Sequence, residues 1–409
     1  MGKMLISNIG LLATPHGSAA RRGKEQGSIE LTRNAWVLIE DGKIAATGTG
    51  SAPCVADAQM VDAMQRLVTP GLVDAHTHLI FGGWRQNELG LKLHGAGYLD
   101  ILAAGGGILS TMRATRAASE DALFEKASAA LDEMLRLGTT TVEAKSGYGL
   151  NVADELKSLR VIKRLNETHA MDIVPSFMGA HAVPPEFQND RQGYIDLICR
   201  EMLPAVREQG IAEFCDVFCE QDVFSAEESQ QILEAGSRLG LRPKIHADEI
   251  MPIGGSQLAG RLGAISAEHL IVCPEEGIRA MAQGGTVACC LPATSFYLGS
   301  TYAPARAMVQ AGVPVAMATD FNPGSCPSLN MQFVINLGCL RYKLTPEETL
   351  TAVTINGAAA IGRAETVGSI EPGKLADLVI WDAPDLEYIC YRMGSDLARR
   401  VIKRGRLVR

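Results

Sequence analysis

The stretch "PGLVDAHTH", Pro70–His78, sets two histidines one residue apart at the end of an apolar run, in a chain that has only eight. Successive side chains of a β-strand alternate faces, so residues two apart point the same way. Read as a strand, the stretch hands His76 and His78 to one side, at roughly 6–7 Å along the backbone. Two neutral nitrogen donors on one face begin a site for a transition metal. Seven further apolar runs share this character: "TTTVEAKS", "DIVPSFMGAH", "EFCDVFCEQ", "RPKIHADE", "GAISAEHL", "TVACCLPAT" and "PVAMATDFN". Most are separated by helical patterns. Eight βα units predict an α/β fold, a closed (β/α)8 TIM-like barrel. An open doubly wound sheet is the alternative, but no Gly-rich dinucleotide fingerprint follows any strand.

The helices between the strands carry end signals. Ser119 precedes two acids in "SEDALFEKASAALDEMLRLG", which closes at Gly138. Ser225 and Glu228 have capping-box spacing, and Gly240 stops that segment. "TPEETLTAVTINGAAAIG" starts with Thr345 and a proline at the first helical position. Both chain ends read as β instead. "AWVLIEDGKIAATGTG" is two strands joined at Asp41-Gly42, a hairpin signal because both positions tolerate positive φ. "GSIEPGKLADLVIWD" and "RRVIKRGRLVR" have similar character. The expected organisation is a barrel over 69–362 and a small composite β-sandwich domain built from 1–68 with 363–409.

Composition narrows the function. The formal charge of −8 opposes nucleic acid as a partner, because phosphate binding needs a basic surface. No run of about 20 apolar residues occurs, so no membrane-spanning helix is expected. The N-terminus lacks an h-region with a small-residue cleavage site and reads as a first strand. Ten cysteines without a CxxC pair read as buried thiols of a reducing cytoplasm.

Polar residues collect at the strand ends. His76 and His78 end the first run and His181 the third. His246 lies in the fifth with Glu249 behind it, His269 closes the sixth, and Asp320 lies in the eighth. In a barrel these ends converge on one mouth, where such enzymes place their chemistry. The other histidines, His16, His94 and His169, lie elsewhere. Histidine and aspartate donors suit zinc or iron, and the absence of cysteine from the set favours a hydrolytic over a structural metal.

"PGLVDAHTH", "KIHADE", "AEHL" and "ATDFNPG", in that order, resemble the amidohydrolase superfamily of metal-dependent barrel hydrolases and deaminases with an appended β-sandwich. "FGGWRQNE", "YLDILAAGGGI", "VEAKSGYGL", "GAHAVPPEF" and "IHADEI" narrow the resemblance to its imidazolonepropionase family. The resemblance implies hydrolysis of 4-imidazolone-5-propionate to N-formimino-L-glutamate in histidine degradation. It implies His76, His78, His246 and Asp320 as ligands of one divalent metal per chain, zinc or iron. Binuclear relatives use a modified lysine on the fourth strand, and "EFCDVFCEQ" has none. Lys145, on the second strand, reads as a structural ion pair.

By the same resemblance Asp320 holds the attacking water and His181 meets the developing oxyanion. Glu249 carries the proton to the leaving nitrogen, and His269 orients or deprotonates the water. Arg85 grips the propionate through two parallel hydrogen bonds. Tyr148, between glycines, approaches the ligand closely, with Tyr98 a second aromatic. Asn322, Gly324 and Ser325 offer polar groups to the carboxylate end, and the Gly-rich "AAGGGI" segment is a candidate closing loop. A homodimer follows by analogy alone. Two other readings remain at this level: a cyclic-amidine deaminase acting on a nucleobase-like ring, which needs no cation for a tail, and a non-enzymatic scaffold, which would tolerate loss of ligands.

Overall fold

The computed structural model describes residues 2–95 and 106–409. Five N-terminal strands come first: β1 (Lys3–Thr14), β2 (Glu30–Glu40), β3 (Lys43–Thr49), β4 (Ala58–Asp62) and β5 (Leu67–Pro70). Eight more follow: β6 (Leu72–Asp74), β7 (Thr139–Lys145), β8 (Asp172–Ala180), β9 (Phe214–Cys219), β10 (Arg242–Ala247), β11 (Ser266–His269), β12 (Val287–Cys290) and β13 (Val315–Met317). The chain closes with β14 (Leu378–Trp381), β15 (Ala398–Lys403) and β16 (Arg406–Leu407).

Strands β6 to β13 pair in chain order, all parallel. Helices lie between them, as parallel crossovers require. Every residue of β7 is buried, which is why "TTTVEAK" reads as β-branched without polar alternation. The first and last barrel strands meet through a parallel bridge between Thr77 and Phe321. Asp74 reinforces that seam: its carboxylate accepts from Thr319 N at 3.0 Å and from Thr319 Oγ1 at 2.6 Å. Strand β6 ends at Asp74, yet Asp320 N donates to His76 O and His78 N donates to Phe321 O. This pairing past the strand end carries the alternating geometry through both histidines.

The chain ends build the second sheet. Strand β1 pairs antiparallel with β2, and its other edge takes β4 along Lys3–Ser7 and β5 at Leu11–Leu12. β5 then pairs antiparallel with β14, joining the N- and C-terminal segments. Met4, Ile6, Val37, Ile39, Leu378 and Ile402 belong to its own apolar core. Gly71 is the single residue between this sheet and the barrel, and a Cβ there would collide with Thr140.

The expected end signals operate. Ser119 accepts from Ala122 N ahead of the helix Glu120–Arg136. Ser225 and Glu228 form a capping box before Ala226–Arg238, and Asp41 and Gly42 both have positive φ in the β2–β3 turn. "TPEETLTAVTINGAAAIG" differs from a single helix. It forms two, Pro346–Ala352 and Ile355–Ala360, broken at Thr354, whose hydroxyl turns back to Leu350 O. All ten cysteines are free thiols, six of them buried. Among the described residues no helix is long and apolar enough to cross a membrane.

Candidate active site

Strand ends β6, β10, β11 and β13 bring His76, His78, His246, His269 and Asp320 together, all buried. Nε2 of His246 lies 3.3 Å from Nε2 of His78. Oδ1 of Asp320 lies 3.4 Å from Nε2 of His76 and 3.5 Å from Nε2 of His78. Within this set, two overlapping groups are compact enough to hold a metal: His76, His78 and His246, and His76, His269 and Asp320. Nε2 of His76 and Oδ1 of Asp320 are buried with no hydrogen-bond partner. An orphaned buried polar atom costs about 1–3 kcal/mol, and a divalent cation on these donors removes that cost. The residues present fit a metal of the zinc or iron kind.

The local electrostatics suit ligation. Burial pushes the imidazoles of His76, His78 and His269 well below their ordinary value, so they stand neutral. Burial raises the Asp320 carboxyl to about 6, and Thr294 Oγ1 donates to its Oδ2 at 2.7 Å. Asp248, His269, Leu270 and Asp320 all adopt left-handed φ, so backbone strain clusters at this rim.

Three more of the expected groups, His181, Tyr148 and Glu249, stand around the donors. His181 stacks on His78 at 4.8 Å. Burial lowers its pKa to about 3, so its ring is neutral, and Nδ1 lies 2.9 Å from Gly147 O. A proton donated there leaves Nε2 as an acceptor, able to take a substrate N–H rather than supply a proton to an oxyanion. Tyr148 is buried, its ring 5.1 Å from His181 and 5.9 Å from His78. Glu249 Oε2 lies 3.6 Å from His269 Nε2. Burial raises its carboxyl to about 8, with Asp320 and Glu220 adding repulsion.

Arg85 directs Nε and Nη2 at Glu88, both at 2.9 Å. Its Nη1 faces Gly324, where a Cβ would collide with the guanidinium. That contact seats Arg85 against the loop following Asp320. Asn322 spends its side chain inside the same loop: Nδ2 donates to Asp320 O and Ser325 Oγ, and Oδ1 accepts from Gly324 N and Ser325 N. It shapes the loop. Tyr98 and residues 103–105 of the Gly-rich segment lie outside the described residues.

Three carboxylates escaped sequence reasoning. Glu155 accepts from Gly147 N, Gly149 N and Leu150 N, holding the loop that carries Tyr148. Glu220 accepts from Ile250 N and Met251 N, fixing the turn after Glu249. Asp216 meets His246 Nδ1 at 3.0 Å. An acid inside the apolar run "FCDVFC" was the available signal for the last, since a buried carboxylate needs a partner.

The model of the amidohydrolase family matches residues 67–408. The imidazolonepropionase of Alkaliphilus metalliredigens is 51% identical over 100% of this chain and 98% of its own length. That of Geobacillus kaustophilus is 50% identical over 97% of this chain and 96% of its own. The chain belongs to the amidohydrolase family, and within it to the imidazolonepropionases. Its fold is shared more widely. Escherichia coli guanine deaminase matches with a TM-score of 0.75 at 16% identity, covering 100% of this chain and 99% of that one. An adenosine deaminase from Xanthomonas campestris with bound zinc matches at 0.69 and 21% identity, over 99% and 92%. At such identities the deaminases speak for the barrel alone. The chain is therefore a hydrolase of cyclic-amide C–N bonds.

Proposed function

We propose that this chain hydrolyses 4-imidazolone-5-propionate to N-formimino-L-glutamate, with His76, His78, His246 and Asp320 holding one divalent metal, zinc or iron. The observation that carries the proposal is the loop after Asp320. It joins a buried metal-donor cluster to Gly324, against which the Arg85 cation packs. An imidazolone with a carboxylate tail asks for both. A neutral nucleobase asks only for the first.

When bound, the metal brings the pKa of a water towards neutrality and polarises the ring carbonyl. The chain's own residues do the rest. Arg85 binds the propionate, and Glu88 fixes the plane of its guanidinium. Tyr148 and His181 orient the ring, with His181 Nε2 accepting a ring N–H. Asp320 and His269 hold the attacking water by accepting its hydrogens. Water oxygen bonds to the carbonyl carbon as one of its protons passes to Asp320 or His269, and the ring C–N bond breaks. Protonated Glu249 supplies the proton that the departing nitrogen needs. The division into a barrel over 69–362 and a composite end domain belongs to the same proposal. So do a cytoplasmic location, supported by ten unpaired thiols, and a homodimer, supported by resemblance. Purified protein given the substrate should yield N-formimino-L-glutamate without releasing ammonia. Ammonia release from guanine or cytosine, with the imidazolone untouched, would replace this reading with a deaminase.

A further inference from the structure

The three histidines read as metal ligands differ behind their rings. Nδ1 of His76 and Nδ1 of His78 are buried with no hydrogen-bond partner. Nδ1 of His246 lies 3.0 Å from Oδ1 of Asp216. A neutral imidazole carries one ring proton. With that proton on Nδ1, donated to a carboxylate, the Nε2 lone pair of His246 faces Nε2 of His78 across 3.3 Å. Two lone pairs aimed at one point repel unless a cation sits between them. The Asp216 contact therefore selects the tautomer of His246 that a metal needs.

Asp216 is in turn held from behind. Its Oδ2 accepts from Lys145 Nζ at 2.7 Å, and the same ammonium lies 2.7 Å from Glu143 Oε2. Lys244 continues the chain, 3.3 Å from Glu143 Oε1 and 3.2 Å from Glu268 Oε1. These five side chains are entirely shielded from solvent. Lys244 and His246 lie two apart on β10, Glu143 and Lys145 two apart on β7, so each pair projects inward together. A (β/α)8 barrel ordinarily fills this interior with branched apolar side chains. An apolar layer is as stable as a buried ion network or more so, which leaves stability a weak account of these charges. Asp216, His246 and Glu268 are close enough to hold a cation themselves, but the ammonium groups of Lys145 and Lys244 already stand there.

We propose that Asp216 is a positioning residue of the metal centre: it fixes the tautomer and ring plane of His246, and Lys145 fixes Asp216 by occupying its second oxygen. This inference rests on the metal-ligand reading above. It gives the buried charges one direction of action, from the barrel interior outward to a ligand at the mouth.

The test is zinc affinity of the purified full-length protein, measured by chelator competition, with cobalt spectra reporting ligand geometry. Asp216→Ala should weaken zinc binding about 10- to 100-fold and shift the cobalt absorption bands. That variant strands the Lys145 ammonium, so the double variant Asp216→Ala with Lys145→Met removes both charges together. A charge-balancing role would restore wild-type zinc affinity in the double variant. The positioning role keeps it weak even where thermal stability recovers. His246→Ala separates the two levels of the argument. Unchanged zinc affinity there contradicts the ligand assignment itself. Weak zinc binding in His246→Ala, with wild-type affinity in the double variant, overturns the role of Asp216 alone.

Discussion

The guanidinium of Arg85 is clamped by the carboxylate of Glu88 through two bonds of 2.9 Å, and Glu88 Oε1 also accepts from Gly107 N at 2.7 Å. One acid thus ties the cation to the start of the helix Gly107–Ala117. Under the proposed function, the clamp fixes which edge of Arg85 meets the propionate.

Removal of that cation should be felt in binding. Arg85→Ala should raise KM for the imidazolone propionate by about 100-fold, the loss of one charge-assisted bidentate contact, with metal content unchanged. Steady-state kinetics on the variant check this. An unchanged KM places the tail elsewhere.

In the proposed mechanism Glu249 governs proton delivery. Burial raises its carboxyl to about 8, so the acid form persists through neutrality and is lost above that value. Glu249→Gln should lower kcat by about 10²- to 10⁴-fold and leave metal content intact. The sign for stability follows. Between its ordinary 4.5 and its folded value of about 8, the metal-free folded protein binds more protons than the unfolded chain. Its stabilising contribution is therefore lost as pH rises through that window. Between about pH 5 and 8 the melting temperature of the metal-free protein should accordingly fall more steeply in wild type than in Glu249→Gln.

Glu155 supports the site from below. Its carboxylate takes three backbone N–H groups of the Tyr148 loop. Glu155→Ala leaves these donors buried, at about 1–3 kcal/mol each. Denaturant unfolding should show a loss of about 3 kcal/mol or more, and KM should rise as Tyr148 loses its seat. A variant as stable as wild type would show the loop to be held by other contacts.

Metal affinity should depend on pH through Asp320. Its carboxyl, raised to about 6 by burial, must lose its proton before its oxygens serve a cation, whereas His76 and His78 are already neutral. The rise in melting temperature produced by zinc should therefore grow from about pH 5 to about pH 7 and then level off. Equal increments across that range contradict the inclusion of Asp320.

Local pattern carried much of this in the sequence. Eight apolar runs ending in polar residues were legible because parallel strands are buried on both faces, and His76 and His78 were legible because the alternation persists past Asp74. Caps at Ser119 and Ser225 act within three residues, so their signal is local too. Contacts made across the barrel left weaker traces. Lys145 reads as a structural ion pair and does pair with Glu143 and Asp216, yet nothing local shows that Asp216 faces His246, thirty residues away on the next strand. The part Asn322 plays was ambiguous for the opposite reason. A polar amide fits substrate or loop equally well, and only the folded loop shows Asn322 occupied by Gly324, Ser325 and the Asp320 carbonyl.

The central claim is ring opening by a chain that needs one metal ion. The direct test titrates chelator-stripped protein with zinc, and separately with ferrous iron, while loss of imidazolonepropionate absorbance is followed. The account predicts no turnover without metal and a rate that climbs linearly to a plateau at one equivalent per chain. Undiminished turnover in the stripped protein, or a plateau reached only at two equivalents, would contradict it.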